Sequence, residues 1–141
     1  MQMPFFLLPK KETVYLLQSN TIRQALEKMQ HHGYTSVPIL DDEGHYVGSI
    51  TVADFLWYIK DHHDMSLASA SKISLKDVPR LHDNQSVSIA ARIEDIFRTS
   101  LEQNFIPVVD DSGVFIGIVR RRDILKHYMQ RFLQSEDKKS K

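Results

Sequence analysis

Residues 38–56 read PILDDEGHYVGSITVADFL, and residues 107–125 read PVVDDSGVFIGIVRRRDIL. The offset is 69 throughout, with no gap. Seven of the 19 positions are identical. They include Pro38 with Pro107, Asp41-Asp42 with Asp110-Asp111, Gly44 with Gly113, and Gly48 with Gly117. Six more positions are apolar in both copies. The shared register of Pro, turn aspartates and glycines identifies a duplicated unit.

Each copy decodes the same way. A short β-rich run, Ser36 to Leu40 in the first copy, meets the turn Asp41-Asp42-Glu43-Gly44, and a second apolar run follows from Tyr46 to Ile50. Asp favours turn entry and Gly supplies positive φ, so this is a hairpin. Helical spacing follows, over Val52 to about Lys60 and over about Arg121 to Phe132. A helix also precedes each hairpin. The first covers Ile22 to His32, with Thr21 and Gln24 as a capping box and Gly33 as the stop. The second is read from about Val87 to Leu101. Each unit therefore reads strand–helix–strand–strand–helix. The leading extended stretches are Thr13 to Leu17 and Val78 to Leu81.

The expected fold class is α/β (α+β): two small three-stranded sheets, each with two helices, paired by pseudo-twofold symmetry. One unit of about 60 residues buries little apolar surface, and two packed together bury enough. The expected division is an N-terminal arm over 1–12, a first repeat over 13–66, a second over 67–133, and a disordered tail over 134–141. The arm holds Phe5-Phe6-Leu7-Leu8 between Pro4 and Pro9, too short for a signal core or a membrane span.

Composition narrows the function. The chain has 141 residues, with 18 Lys+Arg against 18 Asp+Glu and no cysteine. Zero net charge argues against a general nucleic-acid coat or a polybasic membrane binder. The lack of cysteine excludes disulfides and thiolate chemistry and suits a cytosolic setting. All five glycines are isolated, so neither a P-loop nor a dinucleotide fingerprint is present. There is no H-E-x-x-H and no G-x-S-x-G. His31-His32 and His62-His63-Asp64 lack the further close ligands that a metal site needs, so no metal is expected. The expectation is a protein that is not an enzyme and has no catalytic residues.

Gly33 to Leu56 (GYTSVPILDDEGHYVGSITVADFL) and Phe105 to Leu125 (FIPVVDDSGVFIGIVRRRDIL) resemble the CBS domain pair, or Bateman module. The resemblance spans nearly the whole chain. It implies small α/β units paired through their sheets, dimerisation, and adenine-nucleotide binding in clefts between the units. Gly33-Tyr34-Thr35, Val78-Pro79-Arg80-Leu81-His82 and Arg121-Arg122 look further like the stand-alone CBS proteins of Gram-positive bacteria that bind cyclic di-AMP.

The candidate site residues follow from both readings. Arg120-Arg121-Arg122 stand at a helix start, where each cation costs roughly 0.3–1 kcal/mol. The residue types leave two readings, carboxylate pairing or a phosphate site, and the resemblance favours phosphate contact by Arg121 and Arg122. Thr51-x-x-Asp54 is a capping box by spacing. The resemblance gives Asp54, and its counterpart Asp123, a role in holding ribose, and gives the Thr51 hydroxyl a phosphate contact. For Tyr34, Thr35, Ser36 and Val37 the resemblance implies an adenine-reading strand edge, walled by Val14 and Val37. The second copy departs from both patterns. Arg120 replaces Thr51, and Glu102-Gln103-Asn104-Phe105 replace Gly33-Tyr34-Thr35-Ser36. The two clefts are therefore expected to be unequal, one binding well and the other poorly or not at all.

The resulting expectation is a cytosolic sensor of cyclic di-AMP, or of AMP or ATP, with no other cofactor. The resemblance implies a homodimer and a regulated partner enzyme, such as a stringent-response nucleotide synthetase. The alternative is an interaction or dimerisation scaffold with vestigial clefts. Trp57, Tyr58, Met129 and Phe132 serve either reading, as packing or interface residues.

Overall fold

The computed structural model describes residues 6–139, with side chains through Glu136. Pro4 and Phe5 of the arm, and Ser140 and Lys141 of the tail, lie outside the described residues.

Helix α1 (Ile22–His32) forms where its ends are satisfied. The Thr21 side chain accepts the Gln24 N–H, and the Gln24 side chain accepts the Thr21 N–H. Gly33 ends the helix at φ 72°, a left-handed conformation that a Cβ disfavours. Ile22, Ala25 and Met29 recur on one face and are buried. That face packs on a sheet of β2 (Leu16–Leu17), β3 (Ser36–Leu40) and β4 (Tyr46–Thr51), in spatial order β2-β3-β4. β3 and β4 are the antiparallel hairpin, and β2 runs parallel to β3. Helix α2 (Val52–Asp61) follows β4 directly and buries Phe55 in the same core.

The second unit repeats the plan. β5 (Val87–Ser88) is parallel to β6 (Phe105–Val109), which pairs with β7 (Phe115–Arg120) as a hairpin. Helix α4 (Ile93–Glu102) precedes the hairpin and α5 (Arg121–Lys139) follows it. This sheet has four strands, because β1 (Leu7–Pro9) of the arm pairs antiparallel with β7. The two sheets meet through Leu40, Phe105, Phe115 and Ile118. At the turns, the Phe115 N–H donates to the Gly44 carbonyl at 2.9 Å, so the hairpin tips are tied by main chain as well.

Three expectations are corrected. The second leading strand is Val87–Ser88, whereas Val78 to Leu81 forms no strand. The backbone of Val87 to Ile89 bonds to β6, overriding a pattern that reads equally well as helix. Helix α4 therefore starts at Ile93 and carries no extra turn over α1. Helix α5 runs to Lys139, past the expected end at Phe132, because no Gly or Pro stops it. Residues just past the expected 66/67 border pack back on the first unit. The short helix α3 (Leu67–Ala70) and the residues after it contribute Ala70, Leu75 and Val78 to the first core.

Candidate functional site

A cleft of about 350 Å³ opens between the start of β3, the residues leading into β2, and the junction of β7 with α5. Its walls are mostly apolar: Leu8, Val14, Val37, Pro38, Phe105 and Ile118. Tyr34, Ser36 and Asn104 give polar edges, and Arg120, Arg121 and Arg122 form a cationic rim that faces the lone acid Glu12. Walls that exclude water from a flat ring, with a few convergent polar groups, suit a small organic anion.

The rim exists because β7 passes into α5 with no loop between Arg120 and Arg121. The three arginines do different work. Arg120 makes a two-pronged bond to Asp123, at 2.7 and 3.2 Å, and is neutralised by it. Arg121 donates its Nε–H to the Ser100 carbonyl at 2.6 Å, and its backbone N–H to the Asn104 carbonyl at 2.9 Å. These bonds anchor it at the C-terminal end of α4, where a cation is favourable. Arg122 is exposed and makes no ion pair among the described residues. The rim thus keeps one anchored and one free guanidinium beside the first turn of α5.

The start of α2 shows what is missing there. Thr51 Oγ1 accepts the Asp54 N–H at 3.2 Å, and Asp54 Oδ2 accepts the Thr51 N–H at 2.9 Å. At α5 the equivalent of Thr51 is Arg120, which has no acceptor, so no side chain caps the first turn in this way. Free N–H groups next to guanidinium forks are suited to an oxyanion.

The structure brings together Val14, Tyr34, Ser36, Val37, Arg121 and Arg122 around one cleft. Thr35, Thr51, Asp54 and Asp123 do not line it. Thr35 is exposed, and its carbonyl accepts the Val52 N–H. Asp54 is buried, with Oδ2 on its own helix cap and Oδ1 accepting the Leu81 N–H at 3.0 Å. Asp123 is held by Arg120.

Glu12, Thr13, Asn104, Phe105 and Leu125 line the cleft without having been singled out for it. Phe105 reads from sequence as an obstacle in the second cleft, yet it is a wall of the first. The pseudo-twofold axis places the start of β6 opposite the start of β3, a placement that no local pattern encodes. The histidines are absorbed locally. His32 stacks on Tyr34 and His62 on Tyr58, and no group of three His, Cys, Asp or Glu among the described residues could hold a metal ion. No helix among them is long and apolar enough to cross a membrane.

Comparison with known proteins agrees with this architecture. The family model for the CBS domain matches residues 7–61 and 70–130. Cyclic di-AMP receptor B of Bacillus subtilis (strain 168) is 24% identical over 126 residues, which span 86% of this chain and 82% of that protein. The structure of CbpB in complex with c-di-AMP superimposes with a TM-score of 0.86 at 20% identity, covering 98% of this chain and 91% of that one. CBSX2 in complex with AMP gives a TM-score of 0.72 at 24% identity, over 92% and 96% of the two chains. At these identities the structural likeness is one of fold.

Proposed function

This chain belongs to the CBS domain family, and from that premise we propose that it is an adenine-nucleotide receptor with one working cleft per chain. The observation that carries the proposal is the open cleft with its apolar walls and, at the first turn of α5, an Arg122 with no ion pair among the described residues. The base lies between Val14, Val37 and Phe105, read at the Tyr34–Ser36 edge, and phosphate oxygens meet Arg121, Arg122 and the first turn of α5. Cyclic di-AMP is the favoured ligand over AMP and ATP, supported by the B. subtilis relative named as its receptor and by the CbpB complex. The AMP complex of CBSX2 supports the same class of ligand. At about 350 Å³ the cleft stands near the lower end of the roughly 300–1,000 Å³ typical of small-molecule sites.

Asp54 takes no part in binding in this reading, because backbone N–H groups already hold both of its oxygens. Ligand binding signals by favouring one arrangement of the protein over another. The exposed Leu56, Trp57, Met129, Phe132 and Leu133 on α2 and α5 offer apolar surface to a second copy or to a regulated enzyme. That same surface favours the scaffold as the second reading.

Calorimetry with cyclic di-AMP, AMP, ADP and ATP separates the two. The receptor reading expects saturable binding near one ligand per chain. At 100 times Kd the ligand adds about 2.7 kcal/mol of stability, visible as a rise in Tm. The scaffold reading expects neither heat nor a Tm shift.

A further inference from the structure

Each unit has a segment that enters it just before its leading strand. Residues 8–14 and 79–85 are equivalent, by the same 71-residue offset that separates Leu16 of β2 from Val87 of β5. The two segments behave differently. Leu8 and Pro9 pair with β7 as the end of β1, the chain turns at Lys10–Glu12, and the cleft stays open beside it. Residues 80–85 lie on β4, bonded to Tyr46, Val47 and Ser49.

The contacts are specific. Arg80 pairs with Asp83 through Nε at 2.7 Å, and its Nη2 reaches the Val47 carbonyl at 3.4 Å. Asp83 Oδ1 accepts the Ser49 N–H at 3.0 Å, on the strand edge that its counterpart in β7 uses to pair with β1. The Asn84 N–H donates to Ser49 Oγ at 2.8 Å, and the Tyr46 hydroxyl donates to the Asn84 carbonyl. Gln103, the counterpart of the exposed Tyr34, is turned inward and buried. Its carboxamide takes the Gln85 N–H at 2.6 Å and donates at 3.1 Å to both the Gln85 and the Phe105 carbonyls.

We propose that residues 80–85 are an intramolecular occupant of the second cleft, a plug that limits the chain to one ligand. Four backbone N–H groups, those of Ser49, Leu81, Asn84 and Gln85, end on side-chain acceptors in this segment and its bed. The plug is therefore held by replaceable side-chain bonds rather than by strand pairing. Its ion pair is partly exposed, with Asp83 at 43% and Arg80 at 24%, and such pairs hold weakly. Beneath the plug, Thr51, Val52 and Ala53 stand where the first cleft has Arg120, Arg121 and Arg122. The helix start there carries no arginine rim to hold a phosphate, so an opened second cleft takes an uncharged nucleoside.

Gly48 gives a means of opening it. A Cβ at Gly48 would come within 2.5 Å of Asp83 Oδ1 and 2.8 Å of the Arg80 guanidinium, while the Gly48 backbone tolerates a side chain. Gly48→Ala therefore displaces the plug from below, and Asp83→Ala releases it from above. Neither residue belongs to the open cleft.

The first measurement needs no ligand. Residue-resolved amide exchange on the full chain is expected to show Ser49, Leu81, Asn84 and Gln85 protected. Both variants are expected to speed exchange at these four amides on the order of tenfold, with β6 and β7 unchanged. The second measurement titrates adenosine and follows the Ser49 and Thr51 amide shifts. They move in both variants and stay still in the native chain at the same concentrations. Unprotected 80–85 amides in the native chain overturn the proposal. So do variants that open the segment and still reject adenosine, because the walls and not the plug would then exclude ligand. The adenosine result rests on the receptor reading. That reading fails separately, through a native chain whose Tyr34 and Arg122 amides ignore cyclic di-AMP.

Discussion

The two clefts of this molecule are built from the same duplicated frame and end in opposite states. In one, β7 runs into α5 through Arg120-Arg121-Arg122, and the entering arm stands aside as a paired strand. In the other, β4 runs into α2 through a capping box, and the entering segment lies in the space itself. A capping box and a bound anion satisfy the same orphan N–H groups of a helix start. Where the chain supplies its own acceptor, as Thr51 and Asp54 do, a ligand has less to gain. Where it supplies arginines, a ligand relieves like-charge crowding. The exchange of Thr51-Val52-Ala53 for Arg120-Arg121-Arg122 goes with this division of roles.

The largest expected effect concerns the two glycines that face the entering segments. Gly117 has φ 155°, and a Cβ there would overlap the Leu8 carbonyl of β1. Gly117→Ala is expected to cost about 3 kcal/mol and to detach the arm, read by denaturant melts. Its twin Gly48→Ala meets only the ends of flexible side chains and is expected to stay within about 1 kcal/mol of the native chain. Equal costs would erase the distinction between a paired strand and a side-chain-held plug.

Next is the rim. Arg121→Ala with Arg122→Ala is expected to weaken cyclic di-AMP binding on the order of a hundredfold, from the loss of two charge-assisted contacts. Arg122→Ala alone is expected to cost about tenfold and leave Tm unchanged, since the side chain is exposed and unpaired among the described residues. Isothermal calorimetry reads both. Unchanged affinity in the double variant would remove the arginines from the mechanism.

The cap is a smaller effect with a sharper meaning. Thr51→Ala is expected to lower stability by about 1 kcal/mol and to leave nucleotide affinity alone. A loss of affinity instead would return Thr51 and Asp54 to the ligand and break the contrast between the clefts.

Much of this was legible in the sequence. The repeat in register gave the two hairpins, and Thr21, Gln24 and Gly33 bounded α1 to the residue. The departure of the second copy at Arg120, in place of Thr51, was equally plain. What sequence left hidden is long-range. β5 is two residues long and exists only through its pairing with β6. Glu12, Thr13 and Phe105 reach the cleft through the pseudo-twofold packing of units distant in the chain. Arg80 and Asp83 read as ordinary loop charges until their contacts with Val47 and Ser49 are seen. The competition over Asp54 was visible as a capping box, but the Leu81 N–H that completes its burial was not.

A separate effect is alkaline. Burial of the Tyr46 hydroxyl, the main cause, pushes its pKa up from 10.0 to about 12. The neutral form is favoured in the folded protein. Its contribution to stability is full below pH 10 and is lost as pH rises through about 12. Tyr46→Phe is expected to flatten that limb of the stability profile, measured as the difference between the two chains in urea melts from pH 9 to about 12. Parallel profiles would mean that the hydroxyl at the edge of the plug is not buried in solution.

The most direct test of the central claim maps the ligand on the chain. Amide shifts recorded during a cyclic di-AMP titration are expected to move at Tyr34, Ser36, Val37, Asn104 and Arg122, and to saturate at one ligand per chain. Shifts centred on Ser49, Thr51 and Asp54, or no saturable shifts with any adenine nucleotide, would contradict it.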